Sequence, residues 1–458
     1  MRTGRVIVSV LVVVAALVAG CSSTDEPAGP VVAGPWHGEL RTPGAPIGIG
    51  VTFTENGSAT IDIPIQGIRG AALKDVRTEP DRVEFAMPDV PGDPGFHGKL
   101  DGERIVGDWT QFGEKLPLTF DRGVIESVAR PQDPKPPYPY RSEDVTYRNG
   151  DITIAGTLTE PEGSGPFPAM LMITGSGPQD RNEELSGHRP FQLLADTFTR
   201  AGYAVLRTDD RGVGGTSGVL DDATYPDLAA DAAAGVAFLR GRPEIDPARV
   251  GLFGHSEGGY LAPLVAAKPD SNIAFAVLMA GPSVLGADVL IEQNKVVMAA
   301  AGASQEEIDA QVRYLTEWSA LLRAGDTAGA KAYSQQHNDS LPEGERAPQA
   351  AVDSLNTPYM SALITYDPKP ALEALRIPVL AFFGGTDQQV IATQNEPPMR
   401  ATLTGDPDAT VHTFPGLNHL MQPSESGKPS EYPTIETTID PAVLTYVTDW
   451  LTQRIPPR

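Results

Sequence analysis

Cysteine is almost absent from this chain of 458 residues, which contains only one, Cys21. A single thiol cannot form an intramolecular disulfide and cannot build the usual thiolate zinc sites. Basic residues are also scarce, since 35 lysines and arginines stand against 59 acidic residues and the formal net charge is −24. This charge repels polyanions, so it argues against nucleic acid or anionic lipid as a partner of the folded part.

The first residues have the features of an export signal. Arg2 and Arg5 precede an apolar run from Val6 to Val18, which is too short to span a bilayer and has the length of a signal-peptide core. The run ends in LVAGC, residues 17–21, which resembles the bacterial lipobox. This resemblance implies a signal peptide over 1–20, lipid attached to Cys21, and a location on the extracytoplasmic face of the cell membrane.

A polar, Gly- and Pro-rich segment, residues 21–35, is predicted to be a flexible tether. Short β-rich runs separated by Gly, Pro, Asn and Asp then fill residues 36–125; they are PIGIGVTF, SATIDIPI, RVEFAM and RIVGDWTQF. Such runs are typical of a small antiparallel barrel or sandwich. We expect a separate all-β domain. One hypothesis for its role is that it docks an envelope partner.

The clearest domain boundary is RPQDPKPPYPY, residues 130–140, where five prolines exclude a helix. We predict a Pro-rich linker over 126–141 and a second domain over 142–458. In that domain predicted strands alternate with predicted helices, which indicates a mostly parallel sheet with helices on both faces. The predicted strands are 169–174, 203–209, 249–253, 274–281, 378–385 and 409–414, and the predicted helices are 190–201, 224–240, 258–268 and 441–453.

One interval, about 284–370, has no convincing strand and is predicted to be a helical cap. Ser304 and Glu307 form a capping-box signature at the start of one cap helix. Apolar residues recur after it at helical spacing, as in Leu315, Trp318 and Leu322, and we interpret this stripe as the core of the cap rather than a substrate-binding face.

The sequence GHSEG, residues 254–258, contains a Gly-x-Ser-x-Gly match centred on Ser256. It follows a predicted strand and precedes a predicted helix, which is the setting that a nucleophile elbow requires. Gly254 and Gly258 are expected to leave room for the tight turn, since a Cβ there would collide with backbone. Ser256 is therefore the candidate nucleophile.

A serine nucleophile needs a histidine as base and a carboxylate to orient it. The strand PVLAFFGG runs into Asp387, and the last strand runs into a loop that contains His419. These positions follow Ser256 in the order serine, acid, histidine. Other histidines fit less well, because His255 adjoins the serine and His188 follows the loop after the first parallel strand.

An oxyanion hole needs two backbone N–H donors. One is expected from Glu257, directly after the nucleophile. The other is expected from TGSGPQDRN, residues 174–182, with Ser176 preferred and Gly177 second.

These motifs together resemble the α/β-hydrolase superfamily. GHSEGG, GGTD and NH occur in the right order, and ITGSGPQDRN with DDRGVGGTSG resembles a bacterial carboxylesterase branch close to the serine aminopeptidase-type hydrolases. The resemblance implies hydrolysis of a small carboxylic ester with a short or medium acyl chain through an acyl-enzyme. A peptidase or acyltransferase that uses the same triad stays open, as does a non-catalytic envelope binding protein.

No cofactor and no metal is expected. The loop DDRGVGGTSG, residues 209–218, has glycines but no lysine and so is not a phosphate-binding P-loop. We interpret it as a structural loop at the border of the site.

Overall fold

The computed structural model describes residues 32–457, apart from 42–46, 65–67, 89, 91, 112, 126–127 and 344–345. The predicted signal peptide, Cys21 and most of the predicted tether lie outside the described residues.

Among the described residues of the first domain, nine strands are found. They are Gly34–Leu40 (β1), Ile47–Phe53 (β2), Ala59–Ile63 (β3), Ile68–Ala72 (β4), Lys74–Glu79 (β5), Arg82–Ala86 (β6), Gly95–Asp101 (β7), Arg104–Gln111 (β8) and Glu114–Arg122 (β9). All pairs are antiparallel, and the order is β4-β3-β2-β1-β9-β8-β7-β6-β5. The edge strands β4 and β5 are joined by Leu73 alone, so the sheet must curl until its edges meet. This is a barrel-like sheet around one apolar core rather than a sandwich.

The barrel domain starts earlier than the sequence predicts. Val32 is buried in the barrel core, and the indole N–H of Trp36 donates to its carbonyl at 2.7 Å. The end of the predicted tether is therefore part of the domain, because an apolar residue and a satisfied tryptophan fix it there.

Eight strands form the second sheet. They are Tyr140–Asn149 (β10), Ile152–Pro161 (β11), Phe167–Ile173 (β12), Ala204–Thr208 (β13), Ile245–His255 (β14), Ala276–Met279 (β15), Val379–Gly384 (β16) and Ala409–Phe414 (β17), in the order β10-β11-β13-β12-β14-β15-β16-β17. Strand β11 is antiparallel to both neighbours, and β12 to β17 pair in parallel. This mixed sheet is that of an α/β-hydrolase, and it contains all six predicted strands.

Eleven α-helices are found among the described residues. They are Pro190–Arg200 (α1), Tyr225–Arg240 (α2), Gly258–Ala266 (α3), Gly286–Ala300 (α4), Gln305–Arg323 (α5), Thr327–Ser340 (α6), Gln349–Ser354 (α7), Pro358–Thr365 (α8), Lys369–Ala374 (α9), Ala392–Thr402 (α10) and Pro441–Arg454 (α11). Alternate side chains of β12 enter two cores: Leu171 faces α2 and α3, and Met172 faces α1 and α11. Helices therefore cover both faces of the sheet, as the pattern predicts.

The interval predicted as a cap contains helices α4 to α8. Ser304 caps α5, since its hydroxyl accepts from the Glu307 N–H and the Glu307 carboxylate accepts from the Ser304 N–H. Leu315, Trp318 and Leu322 pack within the cap's own apolar core. The apolar stripe is thus packing inside the cap, as interpreted from the sequence.

The Pro-rich segment before β10 is docked on the hydrolase domain. The Arg130 guanidinium donates to the carbonyls of Ser186, Pro433 and Ile435, at 3.0, 3.0 and 2.7 Å. Gln132 donates to the Ile439 carbonyl at 2.7 Å. The prolines predict an extended segment, but the amino-acid composition does not predict these tertiary hydrogen bonds.

Candidate active site

The candidate nucleophile lies in a strained turn between β14 and α3. Ser256 has a φ of 53°, a left-handed conformation that non-glycine residues rarely adopt outside functional turns. Its N–H donates to the Met279 carbonyl at the end of β15, at 2.9 Å. The sheet therefore holds this conformation in place.

The positions beside the serine must be glycines because a Cβ there would clash with backbone, as the motif predicts. A Cβ on Gly254 would lie 2.1 Å from the Gly258 carbonyl oxygen, and one on Gly258 would lie 2.2 Å from the Ile173 carbonyl oxygen. Both contacts are with backbone, which cannot move aside cheaply. The elbow accordingly tolerates no side chain at either position.

Asp387 and His419 meet at the carboxyl ends of β16 and β17. His419 Nδ1 lies 2.8 Å from Asp387 Oδ2, and both side chains are buried. The other carboxylate oxygen accepts the N–H groups of Gln389 and Val390, at 2.7 and 3.0 Å. A carboxylate so held orients the ring with a proton on Nδ1, which leaves Nε2 as the basic nitrogen.

His255 links the serine motif to the histidine loop. Its Nε2 lies 3.2 Å from the His419 carbonyl oxygen, and the two rings are tilted with centroids 4.7 Å apart. His255 directly precedes Ser256, so this contact brings the loop of His419 beside the nucleophile.

A second histidine–carboxylate pair supports the site. Glu183 Oε1 lies 2.8 Å from His255 Nδ1 and accepts the Gly175 N–H at 2.6 Å. Burial lowers the pKa of His255, but the charge and hydrogen bond of Glu183, together with the His419 carbonyl and the Asp387 charge, raise it, so the net pKa lies above its usual value. The Glu183–His255 pair thereby ties the loop after β12 to the loop of His419. Sequence reasoning missed Glu183, which has no motif spacing to either partner.

The loop after β12 presents one free N–H beside the elbow. Gly175 donates to Glu183, and Gly177 donates to the Tyr359 hydroxyl at 2.8 Å. Within the part of the chain that the structure describes, the N–H groups of Ser176 and Glu257 have no acceptor. These are the two groups that the sequence predicts as oxyanion donors, whereas the second choice, Gly177, is already occupied.

The loop DDRGVGGTSG supports this donor loop. Asp210 accepts from the Gln179 N–H at 2.9 Å and from the Thr174 hydroxyl at 2.8 Å. Asp209 pairs with Arg181 at 2.6 Å. Complete burial raises the pKa of Asp210 well above its usual value. The loop is thus a structural border of the site, as interpreted from the sequence.

The Glu257 carboxyl faces away from solvent beneath the donor loop. It accepts the hydroxyl proton of Tyr359, from the cap, at 2.5 Å. Burial raises its pKa to about 7, although the hydrogen bond of Tyr359 opposes this. A cavity of about 70 Å³ adjoins it, lined in part by Gly175, Gly177 and Asp210. Sequence reasoning assigned Glu257 only its backbone N–H and did not find Tyr359.

His188 is buried in the fold and is not one of the three triad candidates. Its ring nitrogens lie 3.0 Å from the Thr438 hydroxyl and 2.9 Å from the Tyr432 carbonyl oxygen. Burial lowers its pKa to about 4, so the ring is neutral near neutral pH. His188 is therefore a buried support of the fold.

Over the described ranges, no group of three or more His, Cys, Asp or Glu side chains has an arrangement that would hold a metal ion. None of the helices in the same ranges combines the length and hydropathy needed to cross a membrane.

Several known proteins are similar to this chain. Esterase EstD of Thermotoga maritima is 27% identical over 341 residues, which cover 73% of this chain and 75% of that protein. An uncharacterized protein of Mycobacterium tuberculosis is 37% identical over 121 residues, or 26% of this chain and 39% of that protein. The crystal structure of an alpha/beta hydrolase from a Penicillium species matches with 16% identity and a TM-score of 0.46, covering 69% of this chain and 99% of its own.

A family model covers more than half of the chain. The model of the X-Pro dipeptidyl-peptidase (S15) family matches residues 150–397, which include Ser256 and Asp387. With the hydrolase sheet and the elbow described above, this match shows a hydrolase. The chain belongs to the X-Pro dipeptidyl-peptidase (S15) family.

Proposed function

We propose that the protein is a serine hydrolase that cleaves carboxylic esters through an acyl-enzyme on Ser256. The observation that carries the proposal is the buried Asp387–His419 hydrogen bond of 2.8 Å beside an elbow whose serine has a φ of 53°. A carboxylate-oriented histidine next to a strained serine is the arrangement that activates a hydroxyl nucleophile.

In the first half-reaction, Ser256 Oγ attacks the ester carbonyl carbon and His419 Nε2 takes its proton. The carbonyl oxygen becomes negative in the tetrahedral intermediate and is stabilised by the N–H groups of Ser176 and Glu257. The C–O bond to the alcohol then breaks, and His419 returns the proton to the leaving oxygen. The products are the free alcohol and an ester between the acyl group and Ser256.

In the second half-reaction, water takes the place of the alcohol. His419 removes a proton from the water as it attacks the acyl carbon, and the same two N–H groups bind the oxyanion. Collapse of the intermediate breaks the bond to Ser256 Oγ, which recovers its proton from His419. The carboxylic acid is released and the enzyme is regenerated.

Short or medium acyl esters are the proposed substrates. The proposal is supported by the similarity to an esterase over 73% of this chain. The cap stands over the donor loop through Tyr359, so it limits the space left for an acyl chain. A series of p-nitrophenyl esters from acetate to palmitate tests this, and we expect the highest kcat/KM below about ten carbons.

The same assay tests the nucleophile. We expect Ser256→Ala to lower kcat by at least about 10³-fold with an unchanged melting temperature. Ser283→Ala is a matched control, because Ser283 is a buried serine whose hydroxyl donates to the Asn395 carbonyl, outside the proposed triad. Full activity in a folded Ser256→Ala variant would contradict the proposal.

A peptidase acting on X-Pro peptides is the second candidate. It is favoured by the match of residues 150–397 to the X-Pro dipeptidyl-peptidase (S15) family. Peptidase action uses the same steps, but His419 must protonate an amine leaving group. Parallel assays of p-nitrophenyl butyrate and Ala-Pro-p-nitroanilide separate the two candidates. Faster turnover of the anilide would contradict the ester proposal and support peptidase activity.

For the location, we propose that lipid attached to Cys21 holds the protein on the extracytoplasmic face of the cell membrane. The support is the LVAGC sequence behind an apolar run of signal-peptide length, with Cys21 as the single cysteine. Metabolic labelling with palmitate tests this proposal. We expect label on the wild-type protein and none on Cys21→Ala, and equal labelling of both would contradict it.

We also propose that the barrel domain docks an envelope partner or wall polymer. It is a complete unit with its own apolar core, and none of the proposed catalytic residues lies in it. Sedimentation of the full mature chain with purified cell wall, before and after saturation with a soluble ester substrate, tests this. Binding that the substrate abolishes would assign it to the active site instead.

A further inference from the structure

We infer that Tyr359, in the cap, is a positioning residue for the oxyanion hole. The inference rests on the proposed function, because it concerns the two N–H donors of that reaction. It assigns the cap a part in the chemistry beyond limiting substrate size.

One hydroxyl joins both sides of the proposed hole. Tyr359 Oη accepts the N–H of Gly177 at 2.8 Å and donates its proton to Glu257 Oε2 at 2.5 Å. Gly177 directly follows Ser176, which supplies one proposed donor. Glu257 supplies the other through its own N–H. The distance between the two donors is therefore tied to a single atom of the cap.

The tyrosine is held by the cap and is buried. Helix α8 starts one residue before it, and the Thr357 hydroxyl caps this helix by accepting the Met360 N–H at 3.1 Å. The Tyr359 N–H donates to the Asp221 carbonyl at 3.2 Å. Its backbone is thus held by hydrogen bonds and its side chain is buried, so the position of the hydroxyl depends on the position of α8.

The rest of the cap fixes α8 in turn. Helices α4 and α8 pack so closely that a Cβ on Gly286 would lie 1.9 Å from the Leu363 carbonyl oxygen. The Gly286 N–H also donates to the Tyr366 carbonyl at 3.1 Å. Displacement of the cap would therefore withdraw the Tyr359 hydroxyl from both of its partners.

Removing the hydroxyl affects both donors. Gly177 would lose its acceptor, which frees the loop that carries Ser176. Glu257 would lose a donor in a region where its neighbours are Tyr225, Tyr260 and the Asp210 carboxyl. Because an oxyanion donor acts only when it points at the developing charge, a small displacement lowers the rate more than it weakens substrate binding.

Tyr359→Phe tests the inference, with Tyr366→Phe as the matched control. Tyr366 is also a cap tyrosine, but its hydroxyl has no hydrogen-bond partner among the described residues. We expect Tyr359→Phe to lower kcat by about tenfold or more with KM changed less than about twofold. We expect Tyr366→Phe to leave both within about twofold.

Binding of a trifluoromethyl ketone separates positioning from general loosening. This inhibitor forms a hemiketal with the serine and places an oxyanion in the hole, so its Ki reports the donors. We expect Tyr359→Phe to raise Ki by the same factor by which it lowers kcat/KM. Equal Ki values for wild type and Tyr359→Phe, in folded proteins, would overturn the inference.

Hydrogen exchange keeps the inference testable if Tyr359→Phe is unstable. We expect faster exchange of the peptide that contains Gly177 in Tyr359→Phe than in Tyr366→Phe, under conditions where both remain folded. Equal exchange in the two variants would contradict the inference. A Ser256→Ala variant that retained full turnover would instead contradict the proposed function, so the two failures are distinguishable.

Discussion

The two sides of the candidate active site are built differently. On the acid side, Asp387 and His419 follow adjacent parallel strands and bind each other directly, at 2.8 Å. On the oxyanion side, the donor loop depends on the carboxylate of Glu183, which directly follows the loop, and on the hydroxyl of Tyr359, which lies in the cap. Two adjacent strand ends bring the residues of the first side together, whereas the second side depends on contacts from Glu183 and from the cap.

Asp387→Asn is the strongest test of the acid side. An amide at this position donates to His419 Nδ1 where the carboxylate accepts, so it favours the wrong tautomer of the ring. We expect kcat to fall about 10⁴-fold at unchanged melting temperature. Asp367→Asn is the control, because Asp367 is an exposed cap residue that accepts only the Lys369 N–H among the described contacts. A loss below tenfold would remove Asp387 from the triad.

On the oxyanion side, two variants of Ser176 test whether its backbone N–H or its side-chain hydroxyl contributes to catalysis. We expect Ser176→Ala to retain activity within about threefold, since the hydroxyl is not needed. Ser176→Pro removes the N–H, and we expect kcat to fall about 10²- to 10³-fold. Steady-state kinetics on both variants, with circular dichroism to verify folding, measure this. Equal activities would show that the Ser176 N–H is not a donor.

Glu183→Gln tests the link between the two sides. One carboxylate oxygen holds both His255 and the Gly175 N–H, and an amide keeps the size but loses the charge. We expect kcat to fall about tenfold with little change in KM, because the pair positions groups that act in the transition state. Glu184→Gln is the neighbouring control, since Glu184 pairs with Arg189 outside the site. Identical kinetics for the two variants would contradict a positioning role for Glu183.

The two sides also differ in the pH dependence of their stability. The pKa of His188, which supports the acid side through Tyr432, is lowered from 6.5 to about 4 by burial. The contribution of His188 to the free energy of unfolding is present above pH 6.5 and is lost as pH falls towards 4. The pKa of Glu257 is raised from 4.5 to about 7 by burial, so its contribution is present below pH 4.5 and is lost as pH rises through 7. Each amounts to about 3 kcal/mol in the free energy of unfolding.

Urea unfolding from pH 4 to 8 measures this difference. We expect His188→Gln to flatten the loss of stability at acid pH and Glu257→Gln to flatten the loss towards neutral pH. The two titration ranges overlap between pH 4.5 and 6.5, but the His188 contribution to stability rises with pH and the Glu257 contribution falls with pH. A variant that changes the slope of stability against pH with the sign assigned to the other residue would contradict its assignment.

The sequence places Asp387 and His419 after neighbouring strands, and the structure brings the two side chains to 2.8 Å from each other. Asp387 and His419 are found because they follow apolar strands and occur after Ser256 in a fixed order. Ser176 and Glu257 are predicted by position relative to a glycine loop and the elbow. Glu183 and Tyr359 are not predicted, because a hydrogen bond from the loop to the carboxylate that follows it, or to a hydroxyl of a cap helix, leaves no periodicity or motif in the sequence. The barrel's core is predicted as β-structure, but its closure through Leu73 depends on strand pairing that composition does not encode.

Mass spectrometry after reaction with a fluorophosphonate probe tests the central claim most directly. The account predicts one added phosphonyl group per wild-type chain, on the peptide that contains Ser256, and no addition to folded Ser256→Ala. The same peptide should be protected by prior incubation with the trifluoromethyl ketone. Phosphonylation of Ser256→Ala to the same extent as wild type would contradict Ser256 as the nucleophile.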